Sequence, residues 1–299
     1  MARGVAGDPD HGIELLWRDA EREPRPGLSL GRIVRAAVEL ADAEGLEGLS
    51  MRKVADRLGF TTMSLYRHVP GRDQLVDLMR DEVLGEALAT APDAAPGTAP
   101  DAAPEVPPDA GGGWRGRLEE AAWRAWELRM RHPWLAEVRG SRHLPGPNAV
   151  AHYDHMLGAL TGTALRPSEV VAVVGLLGRF VDAEALLLAE TRREEGRSGV
   201  SEQEWWGARD SLYERLDRYP ALSRLWETGG WDEPEDSFTF GLRRLLDGVE
   251  VLIRGRDESR DERCPECGTP LETAPSGRPR VYCSRACQQR AYRKRRSAD

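Results

Sequence analysis

Cysteine is scarce in this chain. Of 299 residues only four are cysteine, and none precedes Cys264. A secreted disulfide scaffold spreads its cysteines through a short chain, so this pattern argues against that class. Long apolar runs are missing as well. No stretch of about 18 or more uncharged apolar residues occurs, which argues against a membrane-spanning helix. The opening MARGVAGDPDHG lacks the apolar centre of a signal peptide, so the expected location is the cytoplasm. No nucleophile–base pair, phosphate-cradling glycine loop or histidine-rich metal site stands out, and no enzymatic activity is expected.

What is present centres on Ser50 to Arg72, SMRKVADRLGFTTMSLYRHVPGR. Ser50 can cap a helix whose Val54, Ala55 and Leu58 share one face. Gly59 suits a left-handed stop. Thr61 or Thr62 can cap a second helix with Met63, Leu65, Tyr66 and Val69, ended by Pro70 and Gly71. Helix, glycine turn and helix predict a helix-turn-helix. Arg52, Lys53, Arg57, Arg67 and Arg72 face only Asp56 here, in a chain whose net charge is −8. A local basic patch on an acidic protein points to nucleic acid. Thr61, Thr62, Ser64, Tyr66 and His68 add groups that reach base edges and phosphates from a groove. The alternative is an ordinary solvated helix pair.

Residues 29–85, with the runs AVELADAEGLEGLSMRKVADRLG, SLYRHV and DQLVDLM, resemble the DNA-binding domain of the tetracycline-repressor family. The resemblance implies an all-α homodimer that binds a double-stranded DNA operator. A larger helical domain would bind a small-molecule effector and release the DNA. It also implies residue roles. Arg52 falls where a base or phosphate is reached. Thr62, Met63, Ser64, Arg67 and His68 fall at base-facing positions, Tyr66 at a phosphate contact, and Arg72 at the basic start of the next helix. Leu65 and Val69 are expected to point inward.

The expected organisation runs from a flexible arm over 1–27 to a helix-turn-helix domain over 28–88. An Ala/Pro/Gly-rich linker follows over 89–113, then a helical effector and dimerisation domain over 114–256, and a cysteine-containing tail over 257–299. The arm holds an apolar island, Ile13, Leu15, Leu16 and Trp17, and two arginines, Arg22 and Arg25, that could reach DNA. A first helix is predicted from Ser29 to about Glu44 with Gly45 as its stop. The linker has six prolines and repeats APDAAP, a composition that cannot bury enough to order itself. Helices are then predicted from Trp114, over Asn148–Leu160, from Pro167, over Glu202–Tyr219 and over Phe238–Ile253. The one from Pro167 and the last resemble the family's dimer-forming helices.

An effector pocket is expected around Trp126, Tyr153, His155 and Arg179. By the resemblance, a metal-binding histidine position of the tetracycline repressor falls on Arg179 and a neighbouring polar one on His155. Arginine does not ligate magnesium, which argues against a magnesium–tetracycline effector. Trp123, Trp126, Trp134, Tyr153 and Phe180 suit a planar or apolar ligand; the alternative is that these rings are plain core.

The tail spaces its cysteines as Cys264-x2-Cys267 and Cys283-x3-Cys287, fifteen residues apart. Two close pairs separated by a loop fit one structural zinc with four thiolates. The segment has no core of its own, so the metal would supply its folding energy. From Cys264 onward eight basic residues face three acidic ones, a net of +5. A second nucleic-acid contact is the functional reading, and a solvated face or a tail paired with the acidic body is the other. The leading expectation for the whole chain is a ligand-responsive repressor; the alternative is a zinc- or thiol-redox-responsive regulator with the tail as sensor.

Overall fold

Helix caps and apolar periodicity build an all-helical chain. The computed structural model describes residues 11–17, 27–89, 113–138, 143–232, 235–261, 263–271 and 281–296. Arg22, Arg25 and the expected linker from 90 to 112 lie outside the described residues. Among those residues the one extended pairing is an isolated bridge between Arg263 and Pro270.

In the N-terminal island, α1 (His11–Leu16) buries Leu15 and Leu16, and Trp17 Nε1 donates to the Pro145 carbonyl at 3.1 Å. The island is therefore a short docked helix. Next comes α2 (Leu30–Gly48), capped by Ser29 and broken within its last turn at Gly45, where φ is +71°. Only glycine adopts that conformation without steric cost. Then follow α3 (Met51–Leu58), α4 (Thr62–Tyr66) and α5 (Arg72–Ala89). Ile33, Ala37, Val54, Leu65, Val69, Leu75 and Met79 are almost fully enclosed and form their shared core.

That core does not stop at the reader. It continues into Leu128 of α6 (Gly113–Arg131), Trp134 and Leu135 of α7 (Trp134–Glu137), and Ala149 of α8 (Pro147–Gly158). A second core joins α6 and α8 to α9 (Pro167–Ser198) and α13 (Ser237–Asp261) through Leu118, Met156, Leu177, Val181, Phe238 and Leu246. With 32 residues, α9 is about 48 Å long.

Glu202–Tyr219 departs from the expected single helix. It is α10 (Glu202–Gly207), α11 (Asp210–Tyr213) and a 3₁₀ turn at Leu216–Arg218, followed by α12 (Pro220–Glu227). Arg209 leaves helical geometry at φ −118° and ψ 48°, just after Gly207, and none of the three α-helices buries a residue. Without a packed face, nothing holds a long helix together there. The final helix, α14 (Arg285–Arg296), belongs to the cysteine tail.

Candidate nucleic-acid interface

The reader is set by local caps. The Ser50 hydroxyl accepts from the Lys53 amide at 3.2 Å and starts α3. Gly59 ends it with φ +74° and ψ 28°. Thr61, not Thr62, caps α4, accepting from the Ser64 amide at 3.3 Å. Leu65 and Val69 are fully enclosed, which fixes the outward face of α4. On that side Met63 is 74% exposed and Tyr66 45%. Thr61 and Arg67 are also exposed, whereas Thr62, Ser64 and His68 are half-buried. Arg67 Nη2 donates to the Ser64 hydroxyl at 3.3 Å, so its guanidinium leans along the row.

The basic residues divide into two uses. Lys53 pairs with Glu44 and Arg57 with Glu39, tying α3 back to α2. Arg52 is exposed and has only a loose approach to Asp56, at 3.8 Å. Arg72, also exposed, makes two contacts within the reader. Its Nη2 donates to the Leu46 carbonyl at 2.7 Å and its Nε to the Leu49 carbonyl at 3.3 Å. Those carbonyls belong to the broken end of α2, so Arg72 braces the α2–α3 corner.

A polar joint connects the reader to the rest. Asp81 of α5 caps the start of α8, accepting from the Ala149 amide at 2.8 Å and the Asn148 amide at 3.4 Å. A Cβ on Gly146 would come within 2.4 Å of this carboxyl, so glycine permits the approach. Burial raises the Asp81 carboxyl above its ordinary value against the pull of those amides. Beside it, Asp77 Oδ1 lies 2.8 Å from His143 Nδ1. On the other side Asp42 Oδ1 accepts from Trp134 Nε1 at 2.7 Å and lies 2.8 Å from His132 Nδ1. Sequence reading missed this joint, because each partner lies some 65 residues or more from its mate.

The expected effector residues separate. Tyr153, His155 and Arg179 are exposed, and none of the four expected residues lines either described hollow. Trp126 is stacked on Phe238 at 4.2 Å, and Phe180 is stacked on the same Phe238 at 5.7 Å. Trp134 is core. The inward histidine of α8 is His152, which sequence reading passed over. Its place on the stripe Ala149, His152, Met156, Leu160 was the available signal. Burial, with Arg129, His155 and Arg80 nearby, pulls its imidazole down to about 4. Among the described residues no hydrogen bond reaches its ring. Arg129 itself donates from Nε to Asp182 of α9 at 2.6 Å.

Comparison with known proteins agrees with this architecture. Residues 33–79 match the family model described as bacterial regulatory proteins, tetR family, and 106–253 match the tetracyclin repressor-like C-terminal domain. The transcriptional repressor DrrR1 of Streptomyces coeruleorubidus is 40% identical over 258 residues, 84% of this chain and 89% of that protein. The chain belongs to the TetR family. Among solved structures, apo ActR from Streptomyces coelicolor superposes with a TM-score of 0.58 at 28% identity, covering 79% of this chain and 99% of ActR. ActR in complex with actinorhodin gives 0.58 at 26% identity, covering 77% and 98%. TetR-family regulators bind operator DNA, dimerise and take small-molecule effectors, and this chain is a DNA-binding, ligand-responsive repressor.

The four cysteines lie beyond both matched TetR segments. Cys264 and Cys267 sit on a knuckle that ends with Gly268 at φ +70°, its amide donating to the Cys264 carbonyl at 2.8 Å. Ser284 caps α14 through the Cys287 amide at 3.3 Å. The four sulfurs all lie within 4.8 Å of one another, with Cys267–Cys283 at 3.3 Å and Cys283–Cys287 at 3.6 Å. A disulfide needs about 2.05 Å. Four thiolates about 2.3 Å from one zinc would sit roughly 3.8 Å apart, close to the spacing found. The cluster is thus compatible with a metal site.

Proposed function

We propose that this repressor reads its operator through α4. Thr62, Met63, Ser64, Arg67 and His68 face base edges, while Thr61, Tyr66 and Arg52 engage the backbone. The observation that carries the reading is the row of outward side chains fixed above enclosed Leu65 and Val69. Arg72 holds the reader's corner and, exposed at the start of α5, keeps further guanidinium donors for phosphate. Binding of Arg67→Ala to a randomised operator library tests this. It should lose about 1–3 kcal/mol on cognate DNA and relax preference at one position. A uniform loss across all sequences would refute a base-reading role for Arg67.

The effector, in this reading, is a planar aromatic molecule received between α6, α8 and α9. Support comes from the Trp126–Phe238–Phe180 stack, and from neutral His152 beside Arg129 as polar anchors. ActR, a relative, is known with actinorhodin bound. Occupancy would press on α8 and, through Asp81, tilt α5 and the reader. Titrating the operator complex with actinorhodin as a probe should release DNA, and should fail to do so in His152→Trp, which sets a bulky ring between these helices. Dimer contact is assigned to α9 and α13, where Val171, Leu176, Leu187, Phe240 and Val251 remain exposed.

The cysteine cluster holds one structural zinc through Cys264, Cys267, Cys283 and Cys287. A closed four-sulfur shell leaves no open position for catalysis, in keeping with a regulator that is not an enzyme. Metal analysis of reduced protein should give one zinc per chain. No helix among the described residues is long and apolar enough to cross a membrane, which supports a cytoplasmic site of action.

A further inference from the structure

The cysteine module sorts the charges of α14 onto two faces. On the inner face, Cys287 is buried in the cluster and Arg290 Nη2 donates to its sulfur at 3.0 Å. Glu266 of the knuckle, almost enclosed, lies 3.0 Å from Lys294 Nζ and 3.8 Å from Arg290 Nε. Positions 287, 290 and 294 share one helical face, so two cations are drawn onto the module's own acid. Positions 285, 289, 292 and 293 share the opposite face. There Arg285, Gln289, Tyr292 and Arg293 are all exposed. Arginine, glutamine and tyrosine are among the side chains that donate to phosphate oxygens.

We propose that α14 is a second DNA-contacting element, laying this outer row against the phosphate backbone of the duplex held by α4. The inference rests on the zinc reading, because the cluster is what turns the row outward. Charge selects the occupant. The residues from Cys264 on carry +5, and four thiolates with one Zn²⁺ still leave +3, on a chain whose other residues sum to −13. A polyanion is the complementary surface, and this protein's established partner is one. The row is assigned to the backbone, so its contribution adds affinity and leaves sequence preference to α4.

The test compares DNA affinity against salt for the full chain and two variants, with zinc content measured in each. Arg285→Gln with Arg293→Gln removes two phosphate-neutralising cations without touching the cysteines or Glu266. The slope of log affinity against log salt should become shallower by about 1.8, or roughly 0.9 per contact, at unchanged sequence preference. Gln289→Lys adds a cation to the row and should steepen the slope by up to about 0.9. Unchanged slopes in both variants with zinc present would overturn the proposal and assign the row to the acidic body or to a protein partner. A changed sequence preference would overturn its backbone-only character. Changed slopes without zinc would retain the contact and overturn the metal reading. Failure of the unsubstituted protein to bind DNA would instead strike the operator reading itself.

Discussion

The reader and the cysteine module are both small, basic and helical, yet they are held by opposite means. In the reader, Ile33, Val54, Leu65, Val69, Leu75 and Met79 are enclosed, and each such side chain contributes about 1.5–3 kcal/mol by leaving water. In the module the buried side chains among the described residues are Cys264 and Cys287. The first is stabilised by packing that spreads into α6, α7 and α8. The second has almost no apolar content and, in the zinc reading, depends on the metal held by its sulfurs. The contrast teaches that a basic helix can be presented by a core or by an ion. Among the described residues, the core-built one shares its packing with the larger helical domain.

The largest effect that could break this contrast is metal removal. Chelation under reducing conditions should unfold α14 and leave the reader intact, because structural zinc supplies about 10–16 kcal/mol of apparent folding energy in comparable modules. Far-ultraviolet circular dichroism with DNA binding in parallel checks it; a reader that melts with the module would end the distinction. Next in size is Leu65→Ala, which leaves a cavity under α4. It should cost the reader about 2–5 kcal/mol in chemical denaturation while zinc content stays the same.

A smaller effect is expected at the joint. Asp81→Ala removes the cap of α8 and should cost about 0.5–2 kcal/mol. Its more telling consequence is on communication: effector should still bind, but should release operator less completely. Equal release in the variant and the unsubstituted protein would place the coupling elsewhere.

These examples show why some of the molecule is legible in its sequence. Ser50, Gly59 and Thr61 act within four residues of themselves, so their roles follow from local chemistry. The cysteine spacing is equally local within each pair. Arg72 and Asp81 look like ordinary surface charges, because their partners, Leu46, Leu49 and Ala149, come from other helices. The effector residues failed in a different way. Tyr153 and His155 lie on α8 as expected but are exposed, Tyr153 one residue and His155 three residues beyond His152. Aromatic and polar character alone did not say which side of that helix faces inward; its burial periodicity did.

The last predicted effect, confined to acid pH, lies at that histidine. Unfolded, it titrates at about 6.5; folded, at about 4. Between those values the unfolded chain binds the extra proton, so stability is complete above 6.5 and declines as pH falls towards 4. Melting temperatures of the parent and His152→Phe, measured across that range, should converge as acid is added, the variant showing the flatter profile. Parallel profiles would mean that His152 is not held neutral.

The most direct test of the whole account is amide hydrogen exchange on the full chain, with and without operator DNA, before and after metal removal. Operator should slow exchange across α3 and α4 in both metal states, and across α14 only while the metal is bound. Protection of α3 and α4 that vanishes with the metal, or that never develops with DNA, would contradict a core-built reader as the seat of operator recognition.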